Sequence, residues 1–357
     1  MMPIPPERVI VALSGGVDSS VAAALLKEGG WEIQTVHFTI PAPLEVTERK
    51  REEAEQAAAC LSVPLRVVDL RERFETEVIE PFLRSYASGL TPNPCVACNP
   101  RVKFRTLLEV ADSIGAHWVS TGHYARIISN ADGLKVLFRG RDRGKDQSYF
   151  LHRLDLGALP RIVFPLGDLT KAEVRGMARQ RGLPARSSAE SQEICFIPGG
   201  DYRAFLRERA GDGLDRPGDI VDAGGKKLGR HSGTYRFTIG QRRGLGIASG
   251  RPYYVTELRP EANLVIVGRK EDLYHRSVLA EEFYCHEGNL EGSPVEAEAQ
   301  IRYRHKPAPG LLFKLPGGRV RFEFKDAQPA VTPGQALVCY TGERVLGGGW
   351  IAGHGGW

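Results

Sequence analysis

The sequence predicts an α/β fold: an N-terminal doubly wound parallel sheet, then a small β-rich central domain and a C-terminal antiparallel β-barrel. Three observations carry this. Over the first half of the chain, strand-length apolar runs alternate with helical stretches, and that alternation implies a parallel sheet covered on both faces. After about Gly211 the helical patterns fade, and short β-branched and aromatic runs separated by glycine turns replace them: "YRFTIGQRRGLGI", "PYYVTEL", "NLVIVGR". From Ser277 the alternation continues through "VEAEAQIRYRH", "GLLFKL", "RVRFEFK" and "QALVCYTGERVLGGGWI", as expected of a small barrel. Boundaries near 210 and 275 divide the chain into 1–210, 211–275 and 276–357.

Val9 to Leu13 is a continuous apolar run, as in a buried parallel strand, and Val17 to Lys27 reads as a helix closed by Gly29-Gly30. A strand follows at Ile33 to Phe38, an Ala/Glu-rich helix at Glu45 to Leu61, a strand at Leu65 to Val68 and a helix at Phe74 to Ala87. Ser88 to Pro100, "SGLTPNPCVACNP", is too rich in proline, glycine and asparagine for either element and reads as a long loop. Loops of that length inside a compact domain usually carry function. A helix at Val102 to Ile114, a strand at His117 to Thr121 and a helix at Lys171 to Arg181 come next. "SSAESQEICFIPGG", from Ser187, then leads to a short helix near Tyr202 to Arg209.

At 357 residues the chain needs two or three domains. With 42% hydrophobic and 25% charged residues it is neither disordered nor fibrous. No apolar run approaches the roughly 20 residues that cross a bilayer, and the N-terminus lacks a secretory h-region. A soluble cytoplasmic protein without a membrane partner is expected, and structural disulfides are not. The net charge of +5 permits a polyanionic partner without demanding one.

"SGGVDSS", Ser14 to Ser20, joins the first strand to the first helix as a phosphate loop would, yet it lacks the lysine of a Walker-type loop. Successive backbone N–H groups from Ser14 to Val17, with the helix N-terminus, make a nest for anionic oxygens, and Asp18 and Ser19 can satisfy the helix's free donors. A nest without the lysine suits pyrophosphate held as a leaving group. A plain strand-to-helix turn with a Ser/Asp cap is the competing reading of a lone SGG.

The whole string resembles the PP-loop of the ATP pyrophosphatase group, with its adenine nucleotide α-hydrolase-like fold. "GLTPNPCVACNPRVKF" at 89–104 is similar to a segment of the tRNA-specific 2-thiouridylase (MnmA) family. Further matches follow in the family's order: "STGHYAR" at 120–126, "GKDQSYFL" at 144–151, "SQEICFIP" at 191–198, "FTIGQRRGLG" at 237–246, "IRYRH" at 301–305 and "TPGQALVCY" at 332–340. The resemblance implies an enzyme that thiolates C2 of the wobble uridine of tRNA: ATP adenylates O2, and sulfur displaces AMP. It further implies ATP contacts at Ala12, Leu13, Ser14, Gly15, Gly16, Val17, Asp18, Ser19, Phe38 and Gly122, with Mg2+ neutralising the pyrophosphate and Asp18 serving catalysis. Cys195 would carry a persulfide, its outer sulfur handed over by a sulfur donor protein, and Cys98 would pair with it; sulfide is the sulfur source only where an open iron delivers it.

Where many family members have aspartate, this chain has Cys95. Cys95, Cys98 and Cys195 could then hold a 4Fe–4S cluster with one open iron. Zinc, a CxxC redox pair and plain packing are the other readings. Cys60, Cys285 and Cys339 fall in helix or β patterns and read as packed hydrophobes.

The resemblance also places the tRNA anticodon stem-loop against Asn93, Pro94, His123, Lys145, Asp146, Gln147, Arg302, Tyr303 and Gln335, with the Arg242-Arg243 pair and Arg304 nearby; Asn93 and Pro94 would flank the flipped-out base. For Phe38 and His123 a core side chain is the alternative, and for Lys145 to Gln147 a solvated loop. Two other functions remain open: a PP-loop ligase for a small molecule, and a non-catalytic RNA-binding protein with a structural metal.

Overall fold

A computed structural model describes residues 7–183, 194–197, 199–286, 290 and 294–354. The chain forms two compact units, one of Met1–Val78, Cys95–Pro198 and Glu343–Val345, the other of Ile79–Pro94, Gly199–Gly342 and Leu346–Trp357. Among the described residues no helix is long and apolar enough to cross a membrane.

The first unit is built on β1 (Arg8–Ala12), β2 (Glu32–Thr39), β3 (Leu65–Asp69) and β4 (Trp118–Ser120). An antiparallel hairpin, β5 (Ala125–Ser129) and β6 (Lys135–Arg139), precedes the short β7 (Ile162–Val163). The main sheet runs β3-β2-β1-β4-β7 with every pairing parallel. Strand order therefore reverses beside β1, and the carboxyl end of β1 opens where such sheets bind ligands.

Helix Val17–Glu28 buries Val21, Ala22, Ala23, Ala24 and Leu26 against Val9, Val11 and Leu13. The alanines let the helix lie close to the sheet. Each fully buried Val or Leu contributes about 1.5–3 kcal/mol relative to exposure. Helices Leu44–Leu61 and Lys171–Gln180 complete this layer through Ala57, Ala58, Leu61, Val174 and Ala178.

The expected loop at 88–100 is helical from Pro94. Pro94–Cys98 is α-helix, Asn99–Phe104 is one widened π-turn and Arg105–Ser113 is α-helix again. A proline at the first helical position loses no hydrogen bond. Pro100, lacking an N–H and crowding the carbonyl four residues back, explains the widening, because a π-turn bonds five residues apart. In the expected helix 74–87, Pro81 likewise follows a π-turn, Glu75–Ile79, between helices Arg71–Phe74 and Glu80–Ala87.

The second unit holds β8 (Gly218–Asp222), β9 (Lys227–His231), β10 (Tyr254–Arg259) and β11 (Leu264–Gly268) in the order β10-β11-β8-β9. Ile220, Phe237, Val255, Val265 and Val267 make its core. β12 (Tyr274–Cys285), β13 (Val295–Gln300), β14 (Ala308–Leu315), β15 (Arg319–Pro329), β16 (Ala336–Thr341) and β17 (Arg344–Gly353) follow. They run β12-β15-β14-β13-β16-β17, and β12 pairs with β17 to close a barrel. Cys339 lies in the barrel core with Cys285 packed against it, as expected. Cys60 differs: it is exposed, with Sγ 3.6 Å from Gly182 O.

Candidate functional site

The loop leaves β1 through Leu13, whose N–H donates to Val36 O at 2.8 Å. Buried His37 holds the same turn with Nδ1 3.1 Å from Leu13 O. Because a carbonyl only accepts, that nitrogen carries the proton, and burial lowers the imidazole's pKa and favours the neutral ring.

Gly15 has φ +78°, and a Cβ there would stand 2.6 Å from Glu53 Cβ; only glycine meets both constraints. Ser19 Oγ donates to Gly16 O at 3.0 Å and lies 3.2 Å from the Ser14 N–H it accepts. Gly16 provides no side-chain cap for helix Val17–Glu28, so the first-turn donors remain for an anion.

Asp18 does not cap that helix. Its carboxylate accepts from Tyr124 Oη at 2.8 Å and from Lys171 Nζ at 2.7 Å to each oxygen. A lone carboxylate beside a phosphate nest suits Mg2+, which takes most of its ligands from phosphate and water. Ala12 and Gly16 to Asp18 are partly exposed around the nest, whereas Leu13 is buried. Phe38, at the carboxyl end of β2, is partly exposed and stands outside the core cluster.

Gly122 follows β4. A Cβ there would lie 2.8 Å from Asp18 C and from Ser19 N, so the close approach requiring glycine is to the loop's own helix. His123 Nδ1 is 2.7 Å from Thr121 Oγ1, and the ring stacks on Phe104 at 5.9 Å. Desolvation first, and then Lys103, hold its pKa well below the usual imidazole range. The ring is neutral at pH 7.

Cys95 and Cys98, three apart on one helix, share a face. Asn99, buried, anchors the π-turn by donating from Nδ2 to Phe150 O at 3.1 Å. Cys195 sits in a turn closed by Ile197 N to Ile194 O at 2.9 Å, beside Phe196, which packs edge-on against Phe74 at 5.4 Å. Ser187 to Glu193 of the expected connecting segment lie outside the described residues.

Cys95 and Cys195 keep solvent contact and Cys98 is half-buried, yet protein surrounds each thiol densely. Desolvation is the largest influence and pushes Cys95 up to about 11 and Cys98 up to about 12; it also raises Cys195. Lys103 opposes it at all three. The thiols are near enough to raise one another, but among the described residues no group of three or more His, Cys, Asp or Glu could hold a metal ion. The three-cysteine ligand set is not assembled.

The chain matches three family models in order: the tRNA methyl transferase HUP domain over residues 7–199, the tRNA methyl transferase PRC-barrel domain over 203–269 and the aminomethyltransferase beta-barrel domain over 275–351. Proteins described as "tRNA-specific 2-thiouridylase MnmA" match over almost their whole length. The Acidithiobacillus ferrooxidans protein is 44% identical over 97% of this chain and 99% of its own. The Syntrophotalea carbinolica protein is 47% identical over 97% and 99%, and that of Desulforudis audaxviator 48% over 96% and 98%. The chain belongs to the tRNA-specific 2-thiouridylase family. ATP use is consistent with the HUP domain of that family.

Of the positions expected from the sequence to meet tRNA, two in the first unit spend their oxygens internally. Asp146 accepts from Gly140 N, Ser148 N and Ser148 Oγ at 3.0, 3.0 and 2.9 Å. Gln147 Oε1 accepts from Tyr124 N, and Gln147 N donates to Tyr124 O, both at 2.9 Å. Lys145 is half-buried beside them. In the second unit, Gln335 Nε2 donates to Thr91 O at 2.7 Å, two residues before Asn93 and Pro94. Arg302 Nη1 donates to Pro329 O at 3.0 Å, and Tyr303 follows it in the turn after β13. His37, Tyr124 and Lys171 were not expected at the site, since no local pattern marks contacts so distant in sequence.

Proposed function

We propose that this chain carries out ATP-dependent 2-thiolation of the wobble uridine of tRNA. One chain of contacts carries the reading: Gly122 packs on the phosphate-loop helix, and its neighbour His123 stacks on Phe104, at the end of the π-turn that continues the helix of Cys95 and Cys98. That continuity supports a reading in which nucleotide and sulfur chemistry share one unit.

In this reading the nest at Ser14 to Val17 and the first turn of the helix hold the β- and γ-phosphates, while Phe38 and Gly122 border the nucleoside. Uracil O2 attacks the α-phosphorus, the O2–P bond forms, and pyrophosphate leaves. Mg2+, held through Asp18 and the phosphates, would supply charge neutralisation. A persulfide on Cys195 then presents its terminal sulfur to C2, the C2–O2 bond breaks, and AMP departs with that oxygen. The Cys98 thiolate attacks the Cys195 sulfur, so a Cys98–Cys195 disulfide forms as the transferred sulfur becomes the thiocarbonyl; a thiol reductant must reopen it. The high thiol pKa values give Lys103 a part, since the thiolate is the reacting form.

Cys95 keeps a second reading in view, sulfide delivery from a 4Fe–4S cluster on Cys95, Cys98 and Cys195. The thiols are not arranged as a ligand set, and no step is derived through a cluster. Methyl transfer, the wording of two family models, leaves the cysteine segments without a task. Asn93, Pro94, His123, Lys145, Asp146, Gln147, Arg302, Tyr303 and Gln335 are proposed to meet the anticodon stem-loop, with a sulfur donor protein or sulfide as the other partner. A tRNA substrate supports a cytoplasmic setting, and the spans of the three family models support domains 1–210, 211–275 and 276–357.

The test combines purified protein, ATP, unmodified tRNA and a persulfide source, reading pyrophosphate and thiolated nucleoside together. Matched formation of both is expected. tRNA binding with neither product would leave a non-catalytic RNA-binding protein, and pyrophosphate release dependent on a small molecule would leave a ligase.

A further inference from the structure

Lys171 and Asp18 are 153 residues apart, yet the ammonium sits 2.7 Å from both carboxylate oxygens. The lysine side chain is 14% exposed and the aspartate 34%. The backbone of Lys171 is fixed independently of this bridge. Its N–H donates to Asp142 Oδ2 at 2.9 Å, and Thr170 and Glu173 close a capping box around the same turn. A long, flexible cationic arm is therefore launched from a rigid point beside the loop that has no lysine of its own.

Asp18 lies in the first turn of a helix whose N-terminus has no side-chain cap. A triphosphate on those donors would bring several negative charges next to its carboxylate, which then needs a counter-charge. Lys171 provides it in the nucleotide-free protein. A divalent cation arriving with the nucleotide competes for the same two oxygens, and an ammonium displaced from them finds phosphate oxygens as its nearest acceptors.

We propose that Lys171 is the phosphate-facing cation of this site, parked on Asp18 when the nucleotide is absent and contacting the β- and γ-phosphates when Mg2+–ATP binds. The inference rests on reading Ser14 to Ser19 as the ATP site. It adds a binding residue that the loop motif does not contain and that sequence spacing could not reveal.

Calorimetric titration of the full chain with ATP and with AMP, each in the presence of Mg2+, tests it. Lys171→Met should weaken ATP about tenfold to a hundredfold, the loss of a charge-assisted contact, and leave AMP within about twofold. Lys171→Arg should restore most of the ATP preference. A bridge that merely braces the loop would weaken ATP and AMP alike. That result, or an unchanged ATP affinity, overturns the proposal. Lys171→Gln, which keeps a polar arm, is read in the same way should the methionine variant not fold. If the wild type itself binds no ATP, the reading of the loop fails, a different outcome from a wild type that binds ATP with no role for Lys171.

Discussion

Gly122 and Asp18 meet backbone to backbone: a Cβ on Gly122 would stand 2.8 Å from the Asp18 carbonyl carbon and 3.0 Å from its oxygen. Neither main-chain segment can give way without moving β4 or the phosphate-loop helix. Gly122→Ala should cost about 1–3 kcal/mol in stability, as overpacking does, and weaken ATP binding at least tenfold. Gly176→Ala, in a helix with nothing within 4 Å of the new methyl, should instead stabilise by about 0.5–1 kcal/mol. Thermal unfolding and ATP titration of both variants check the contrast.

The three thiols set an alkaline limit. Desolvation raises the Cys95 pKa to about 11 and that of Cys98 to about 12, so the folded protein binds these protons more tightly than the unfolded chain does. Their contribution is fully present below the ordinary thiol value near 9 and is lost as the pH rises through 11 to 12. Urea unfolding from pH 8 to pH 11 should show falling stability, with a shallower fall in Cys98→Ser. At pH 8, iodoacetamide should label half-buried Cys98 more slowly than Cys95, which keeps solvent contact, and Lys103→Met should slow both further.

Under the persulfide reading, Cys98 and Cys195 carry the transfer and Cys95 does not. Cys98→Ser and Cys195→Ser should each lower thionucleoside formation more than a hundredfold while leaving tRNA-stimulated pyrophosphate release within about threefold. Cys95→Asp should retain thiolation within about tenfold. Iron bound to anaerobically purified protein, together with loss of thiolation in Cys95→Asp, would instead favour the cluster.

Gln335 is a bridge to the Thr91 to Pro94 segment, with its 2.7 Å bond to Thr91 O. Gln335→Ala removes one hydrogen bond of about 0.5–1.5 kcal/mol and should weaken tRNA binding about threefold to tenfold. ATP affinity should not change. Filter binding and ATP titration separate the two.

Apolar runs alternating with helical stretches made β1, β2, β3 and β4 legible, most plainly β1, whose Val9, Ile10 and Val11 are fully buried inside the parallel sheet; β3, at the edge, is mostly exposed. The hairpin β5–β6 carries a local turn signal as well, Asn130 to Gly133 between two apolar runs. The helix from Pro94 was hidden by Pro, Asn and Gly, which usually mark loops; here one proline starts the helix and the other is absorbed by a π-turn. In the site, SGGVDSS and the cysteine segments stood out because their chemistry is local. Lys171, Tyr124 and His37 could not be read, since each reaches its partner through tertiary packing. Asp146 and Gln147 show the converse, motif residues whose oxygens are turned to internal hydrogen bonds.

The central claim is that uridine O2 becomes bonded to the α-phosphorus of ATP. It is tested most directly by preparing substrate tRNA with 18O at O2 of the target uridine, running the thiolation to completion and weighing the AMP. The account predicts one 18O atom in AMP for each thiouridine formed. Unlabelled AMP, or ADP and phosphate in its place, would contradict it.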